Sequence, residues 1–230
     1  MKRPAESANE WLSFGLALIG GYGDAAGFVI AKTFTGHVTG SLVLATIGLA
    51  GHDWRATLAH VSAVVLFLAG IPLSTLMELA LAAWSSWRLL STILGIEFIL
   101  IVSAYSASVL PEARGAELFV VCMSLALGRQ NGAFRRIGGI SVHTTYLTGT
   151  ITNMIGMQMD RYGSPAIPLP TARHDEKVGG FCGVWIAFVL GAIAGAVMVL
   201  HFGEIGILGA ALLLLMVIFG KSISERKDCH

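Results

Sequence analysis

Apolar residues fall in long runs at about 11–31, 38–51, 56–83, 89–110, 116–128, 137–159, 178–201 and 205–220, with short polar connections between them. A helix that crosses the hydrocarbon of a bilayer needs about 20 residues. Four or five of the runs are comfortably long enough, and 205–220 is sufficient with its flanks. The runs 38–51 and 116–128 are short, and 137–159 is broken by Gly, His and a Thr cluster. The first run starts at Trp11 behind Met1-Lys2-Arg3, carries Asp24 within it and is followed by many others, so it is not expected to be a cleaved signal peptide.

Composition changes the picture from apolar to lipid-embedded. Hydrophobic residues make up 55% of the 230 positions and charged residues 13%, about half the charged share of a soluble domain. So few charges could not cover a water-facing surface. A formal net charge of +1 offers no basic footprint for nucleic acid. Cys122, Cys182 and Cys229 are odd in number and far apart, which argues against a disulfide framework or a zinc site.

Two blocks recur. Gly21-Tyr22-Gly23-Asp24 is followed by Thr39-Gly40-Ser41, and Gly128-Arg129-Gln130-Asn131 is followed by Thr148-Gly149-Thr150; a Leu-Ala-Leu run precedes each block. The chain therefore divides into halves of about 11–110 and 111–220, offset by about 109 residues. If all eight runs cross with the N-terminus inside, Lys and Arg divide ten inside to five outside. If the second and sixth runs only enter and return, the division is twelve to three, with Lys32, Arg55 and Arg114 outside. The second arrangement fits the positive-inside rule better. Each half then crosses an odd number of times, which inverts one relative to the other. The expected fold is an all-α integral membrane protein of six transmembrane helices, built as two inverted three-crossing repeats, each with one broken, re-entrant segment. Residues 1–10 and 221–230 are expected to be cytoplasmic tails.

Inverted repeats with discontinuous segments commonly place a solute site near the bilayer midplane. The blocks Thr35-Gly36-His37-Val38-Thr39-Gly40-Ser41 and His143-Thr144-Thr145-Tyr146-Leu147-Thr148-Gly149 have the glycines, hydroxyls and β-branched residues of such breaks. An extended segment that feeds a helix start near Ser41 would present free backbone N–H groups to a small polar or anionic solute. Close helix packing through small residues is the competing reading, and it is preferred for Gly191 and Gly195.

Ionisable groups inside an apolar run are functional candidates, because an unpaired charge in hydrocarbon costs several kcal/mol. Asp24 either binds a proton or a cation or caps broken backbone nearby, and Glu97 is the second carboxylate expected to couple a proton or cation. Asn131 keeps the shape of Asp24 without its charge. Glu78, near a run end, can snorkel. Arg129 could pair with Asp24, attract an anion or only orient the chain. His37 and His143 read as hydrogen-bond partners rather than metal ligands; His52, His60, His174, His201 and His230 read as interfacial. No hydrolase, protease or nucleotide-binding motif occurs in a suitable context, so neither enzyme chemistry nor a cofactor or metal is expected.

Gly21-Tyr22-Gly23-Asp24, Phe34-Thr35-Gly36-His37-Val38-Thr39-Gly40-Ser41 and Gly128-Arg129-Gln130-Asn131 resemble the YoaK-like family. The resemblance implies a six-helix protein of the bacterial inner membrane with no established substrate. The family pattern falls on Asp24, Thr35, Gly36, Thr39, Gly40, Asn131, Thr145, Thr148 and Gly149, while His37 and Ser41 stand where the family more usually has Asn. By looser analogy the broken segments are similar to those of nucleobase and sulfate carriers. At half the length of those carriers, the chain invites a homodimer. The function expected is that of a secondary transporter working by alternating access. The alternatives are a passive channel and a non-transporting membrane interaction protein. The expected partners are the lipid bilayer and a small-molecule solute.

Overall fold

The computed structural model describes residues 4–81, 86–110, 113–134 and 178–228, with side chains described over 11–81, 88–110, 114–133 and 182–220. His143, Thr144, Thr145, Thr148 and Gly149, like the whole broken segment expected at 137–159, lie outside these residues. The described elements are helices: α1 (Pro4–Ala31), α2 (Val38–Ala50), α3 (Trp54–Ala80), α4 (Ser86–Ser108), α5 (Ala113–Phe134), α6 (Val178–Phe202) and α7 (Leu208–Asp228), with a 3₁₀ turn at Gly203–Ile207 before α7. α1 starts seven residues before the apolar run does, at Pro4, a residue suited to a helix first turn.

Among the described residues, four stretches are long and apolar enough to cross a membrane: Trp11–Ala31, Trp54–Ala80, Arg88–Ser108 and Cys182–Gly220. The last runs for 39 residues but folds as α6, a turn and α7; the chain breaks at Gly203, whose φ of +63° suits a residue without a Cβ. α2, with 13 residues, is about 20 Å long and too short to cross. α5 has 22 residues, about 33 Å, which is long enough, but it carries Arg114, Glu117 and Arg129 and is not among the apolar spans.

The outer faces are apolar. Leu58, Leu79, Leu200 and Phe219 expose 64–70% of their surface, while Asp24, Glu97, Arg129, Gln130 and Asn131 are buried. A surface of leucine over a core that holds the charges matches hydrocarbon as solvent. The protein is a membrane protein.

Helix directions follow from contacts. Gly15 meets Val217 and Gly220 meets Trp11, so α1 and α7 are antiparallel. Gly191 lies against the Leu18 carbonyl and Gly195 against that of Tyr22, so α1 and α6 are parallel, and both glycines serve packing as expected. Gly128 rests on the Phe67 carbonyl and Gly132 on that of Ile71, so α3 and α5 are parallel. Gln130 reaches the Leu16 carbonyl while Gly23 faces Met123 and Leu127, which sets α1 against α5 in opposite senses. α1 and α3 therefore run oppositely, and the connection that contains α2 begins and ends at one end of the bundle.

Close approach of helix backbones holds this arrangement, as expected where lipid removes the hydrophobic drive between helices. A Cβ on Gly21 would collide with the Phe188 carbonyl, and one on Gly128 with that of Phe67. These two contacts join matching positions, because Phe67-Leu68-Ala69-Gly70 of α3 and Phe188-Val189-Leu190-Gly191 of α6 have the same pattern. Gly21→Ala and Gly128→Ala are each expected to destabilise by about 1–3 kcal/mol, since the obstacle is backbone that cannot rotate away. Gly95→Ala, with nothing within 4 Å of the added carbon, is expected to be neutral or stabilising. Thermal unfolding of the purified protein in detergent checks the ranking.

Candidate functional site

α1 ends at Ala31, and Lys32 takes a left-handed conformation (φ +54°) while its N–H still bonds the Phe28 carbonyl. The chain then leaves helical geometry for Thr33–His37 before α2. Backbone freed in this way needs partners, and Asp24, two turns back along α1, supplies them. Its Oδ1 accepts the N–H groups of Thr35 at 2.9 Å and Gly36 at 2.8 Å, and its Oδ2 lies 2.7 Å from Nδ1 of His37. The Ser41 hydroxyl donates to the Phe34 carbonyl at 2.8 Å. The carboxylate also sits before the positive end of α2.

Two expectations change here. α2 begins at Val38, three residues ahead of the expected start at Ser41. With the amides of 35 and 36 and the carbonyl of 34 already satisfied, the helix can close at once; Thr39, Gly40 and Ser41 therefore form its first turn. The N–H groups of Thr35 and Gly36, expected to face a solute, are taken by Asp24.

A small cavity, with enclosed space for about one water molecule, is lined by Gly20, Asp24, Gly36, Leu127, Gln130, Asn131 and Phe188. It brings together Asp24, Gly36 and Asn131 of the expected set. Thr35 is buried beside it, with its hydroxyl unpartnered and against Gly27. His37 is half-buried at the rim, its ring 5.8 Å from that of Phe34 and 6.1 Å from that of Phe188. Ser41 is buried under the loop, Gly40 packs on Phe34, and Thr39 is exposed and outside the site. Gln130 and Phe188 were not singled out from the sequence. Gln130 donates from Nε2 to the Leu16 carbonyl at 2.7 Å, which leaves its Oε1 buried without a donor. Asn131 donates to the Leu127 carbonyl at 3.3 Å.

Glu97 does not join this cavity. Both of its carboxyl oxygens are buried on α4 without hydrogen-bond partners, and the charge it interacts with is that of Arg129. Arg129 turns away from Asp24: its Nη2 lies 3.2 Å from the Met77 sulfur, and Nε and Nη1 have no partner. Arg129 therefore does not pair with Asp24, one of the roles considered from sequence; Glu97 is the carboxylate whose charge reaches it, without an ion-pair contact. His60, expected at the interface, is buried in α3 with Nδ1 unpartnered, because it falls on the inner face of that helix. His52 and His201 are exposed, while His174 and His230 lie outside the described residues. Among the described residues no cluster of His, Cys, Asp or Glu could hold a metal ion.

Asp24→Ala strands two buried N–H groups at about 1–3 kcal/mol each, whereas Asp24→Asn keeps an acceptor oxygen. The alanine variant is expected to melt well below the asparagine variant in detergent. For the second pair, Arg129→Met in the wild-type background is expected to destabilise more than the same change made on Glu97→Gln, since removal of one partner leaves the other uncompensated. A coupling of about 0.5–3 kcal/mol in that double-mutant cycle is the expected result.

Residues 12–220 match the model of a family described as "Protein of unknown function (DUF1275)". The chain is 30% identical over 150 residues to the UPF0700 transmembrane protein YoaK of Bacillus subtilis (strain 168), a match that covers 61% of this chain and 63% of that protein. No solved structure matches. The family match takes in α1 to α7 and every described residue of the cavity, so the chain belongs to the DUF1275 family, as a YoaK-like membrane protein.

Proposed function

We propose that the protein is a secondary transporter of a small polar solute, that it works by alternating access, and that Asp24 carries the coupled proton or cation. The observation that carries this reading is a buried carboxylate facing a cavity to which both halves of the chain contribute: Gly20, Asp24 and Gly36 from the first half, Leu127, Gln130, Asn131 and Phe188 from the second. The burial cost of that carboxylate is offset by its bonds to Thr35, Gly36 and His37, which leave it beside a cavity where a proton or cation can reach it.

The architecture proposed with it is six crossings, α1, α3, α4, α5, α6 and α7, in two inverted repeats. Support comes from the packing. α1 lies chiefly on α6, then on α7 and α5; α5 lies chiefly on α3, then on α4 and α1. Exchanging α1 with α5, α3 with α6 and α4 with α7 leaves this pattern unchanged, and each exchanged pair runs in opposite senses. The charge count supports both termini on the cytoplasmic side of a bacterial inner membrane, with 38–51 and 137–159 entering and returning. The cavity lies where α1 and α5 cross, the position that inverted halves reserve for a solute. Rocking of one half about this crossing would expose it to either side. No enzymatic role is proposed.

The test uses proteoliposomes loaded with a pH-sensitive dye and challenged in turn with small amines, carboxylates, nucleobases and inorganic anions. At least one solute class is expected to drive a pH change that Asp24→Asn reduces tenfold or more. Solute entry without proton movement, unaltered in Asp24→Asn, overturns the coupled reading in favour of a passive channel.

A further inference from the structure

The charge at the cavity and the unpartnered Gln130 oxygen in its wall are both of the accepting kind. The backbone donors nearest to it, the N–H groups of Thr35 and Gly36, are already spent on Asp24 Oδ1. Gln130 is oriented by its bond to the Leu16 carbonyl, which uses one N–H of its amide nitrogen and leaves Oε1 a buried acceptor with no donor. Arg129, next in sequence, lies against Met77 and does not line the cavity. The wall thus offers one carboxylate and one unfilled carbonyl oxygen, beside the carboxamide of Asn131 and the residue Phe188. An anion would meet the Asp24 carboxylate here and find no cationic side chain in the wall to hold it.

The His37 imidazole occupies the place a ligand would take. It bonds the second carboxylate oxygen at 2.7 Å, it lies about 6 Å from the rings of Phe34 and Phe188, and it is 35% exposed where Asp24 is 7% exposed. Phe34 is itself backed by Phe28 in a stack at 4.5 Å. A carboxylate whose hydrogen-bonded partner sits about 6 Å from two aromatic rings is the chemistry that recognises an organic cation, which gains a charge-assisted hydrogen bond on one side and aromatic contact on the other.

Resting on the transporter reading above, we propose that the solute is a small organic cation whose ammonium group displaces the His37 imidazole from Asp24 and donates to Gln130 Oε1. The imidazole is the resident stand-in for that ammonium. Hence the substituent that holds the empty site together also competes for it.

The competition gives a test that a structural role for His37 would not pass. Binding of propylammonium chloride, sodium propionate and propionamide is measured by titration calorimetry on the purified protein in detergent at constant ionic strength. Propylammonium is expected to bind, more weakly by tenfold or more in Asp24→Asn, by threefold or more in Gln130→Leu, and more tightly by severalfold in His37→Ala. Propionate and propionamide are expected not to bind. Weaker propylammonium binding in His37→Ala, with that variant melting within a few degrees of wild type, overturns the displacement. Propionate binding in place of propylammonium overturns the cation class and leaves the transporter standing. If no probe binds and Asp24→Asn still abolishes solute-driven pH change in proteoliposomes, the cation class alone falls. If no probe binds and Asp24→Asn changes nothing there, the transporter reading falls with it.

Discussion

A chain that leaves helical geometry within a hydrocarbon layer must satisfy every N–H and C=O that it frees, and the layer itself offers no partner. The break between α1 and α2 meets this constraint with Asp24 for the amides of Thr35 and Gly36 and Ser41 for the carbonyl of Phe34. Asp24 takes up two amides and an imidazole, and in doing so it ties the loop back onto the helix that precedes it. The early start of α2, the burial of Thr35 and Ser41 and the placing of Gly36 in the cavity wall all follow from that anchoring. The same bonds stabilise the carboxylate, so the loop and the charge each make the other tolerable.

That reciprocity explains why the site was partly legible in the sequence. A carboxylate within an apolar run, followed by a Thr-Gly block, announces a functional break whatever the details; Asp24, Gly36 and Asn131 do line one cavity. The direction of the backbone amides was not legible. Capping of broken backbone was one of two roles open to Asp24 from sequence, but residue order does not say that the amides it takes are those of Thr35 and Gly36. Gln130 and Phe188 were hidden for a different reason. A phenylalanine in an apolar helix reads as packing, and only its contact with Gly21 and the cavity gives it a second role.

Helix order was legible from length and hydropathy except at α5. Its 22 residues carry three charged side chains in the described part, too many for a lipid-facing span. The structure resolves this by location. Every residue from 126 to 133 is buried, with α1 on one side and α3 and α4 on the other. Arg114 and Glu117 stay exposed near the start of α5, but a segment covered on all faces need not be apolar, because polar groups such as Arg129, Gln130 and Asn131 meet protein instead of lipid. The similarity of Phe67-Leu-Ala-Gly70 to Phe188-Val-Leu-Gly191 is likewise weak as a pattern of letters. It gains meaning when each phenylalanine carbonyl is found against the glycine of a matching block.

Position at the centre lets α5 separate two kinds of charge. Consecutive residues on a helix are about 100° apart, so Arg129 and Asn131 point to nearly opposite sides. Arg129 projects toward α3 and α4, where Glu97 answers it; Gln130 and Asn131 project toward α1, where Asp24 waits with His37. Had the guanidinium been two positions later, in place of Asn131, it would have faced the cavity that Asp24 lines. The register of a single helix thus keeps the carboxylate next to the cavity without a fixed cation, and its charge open to whatever can replace an imidazole.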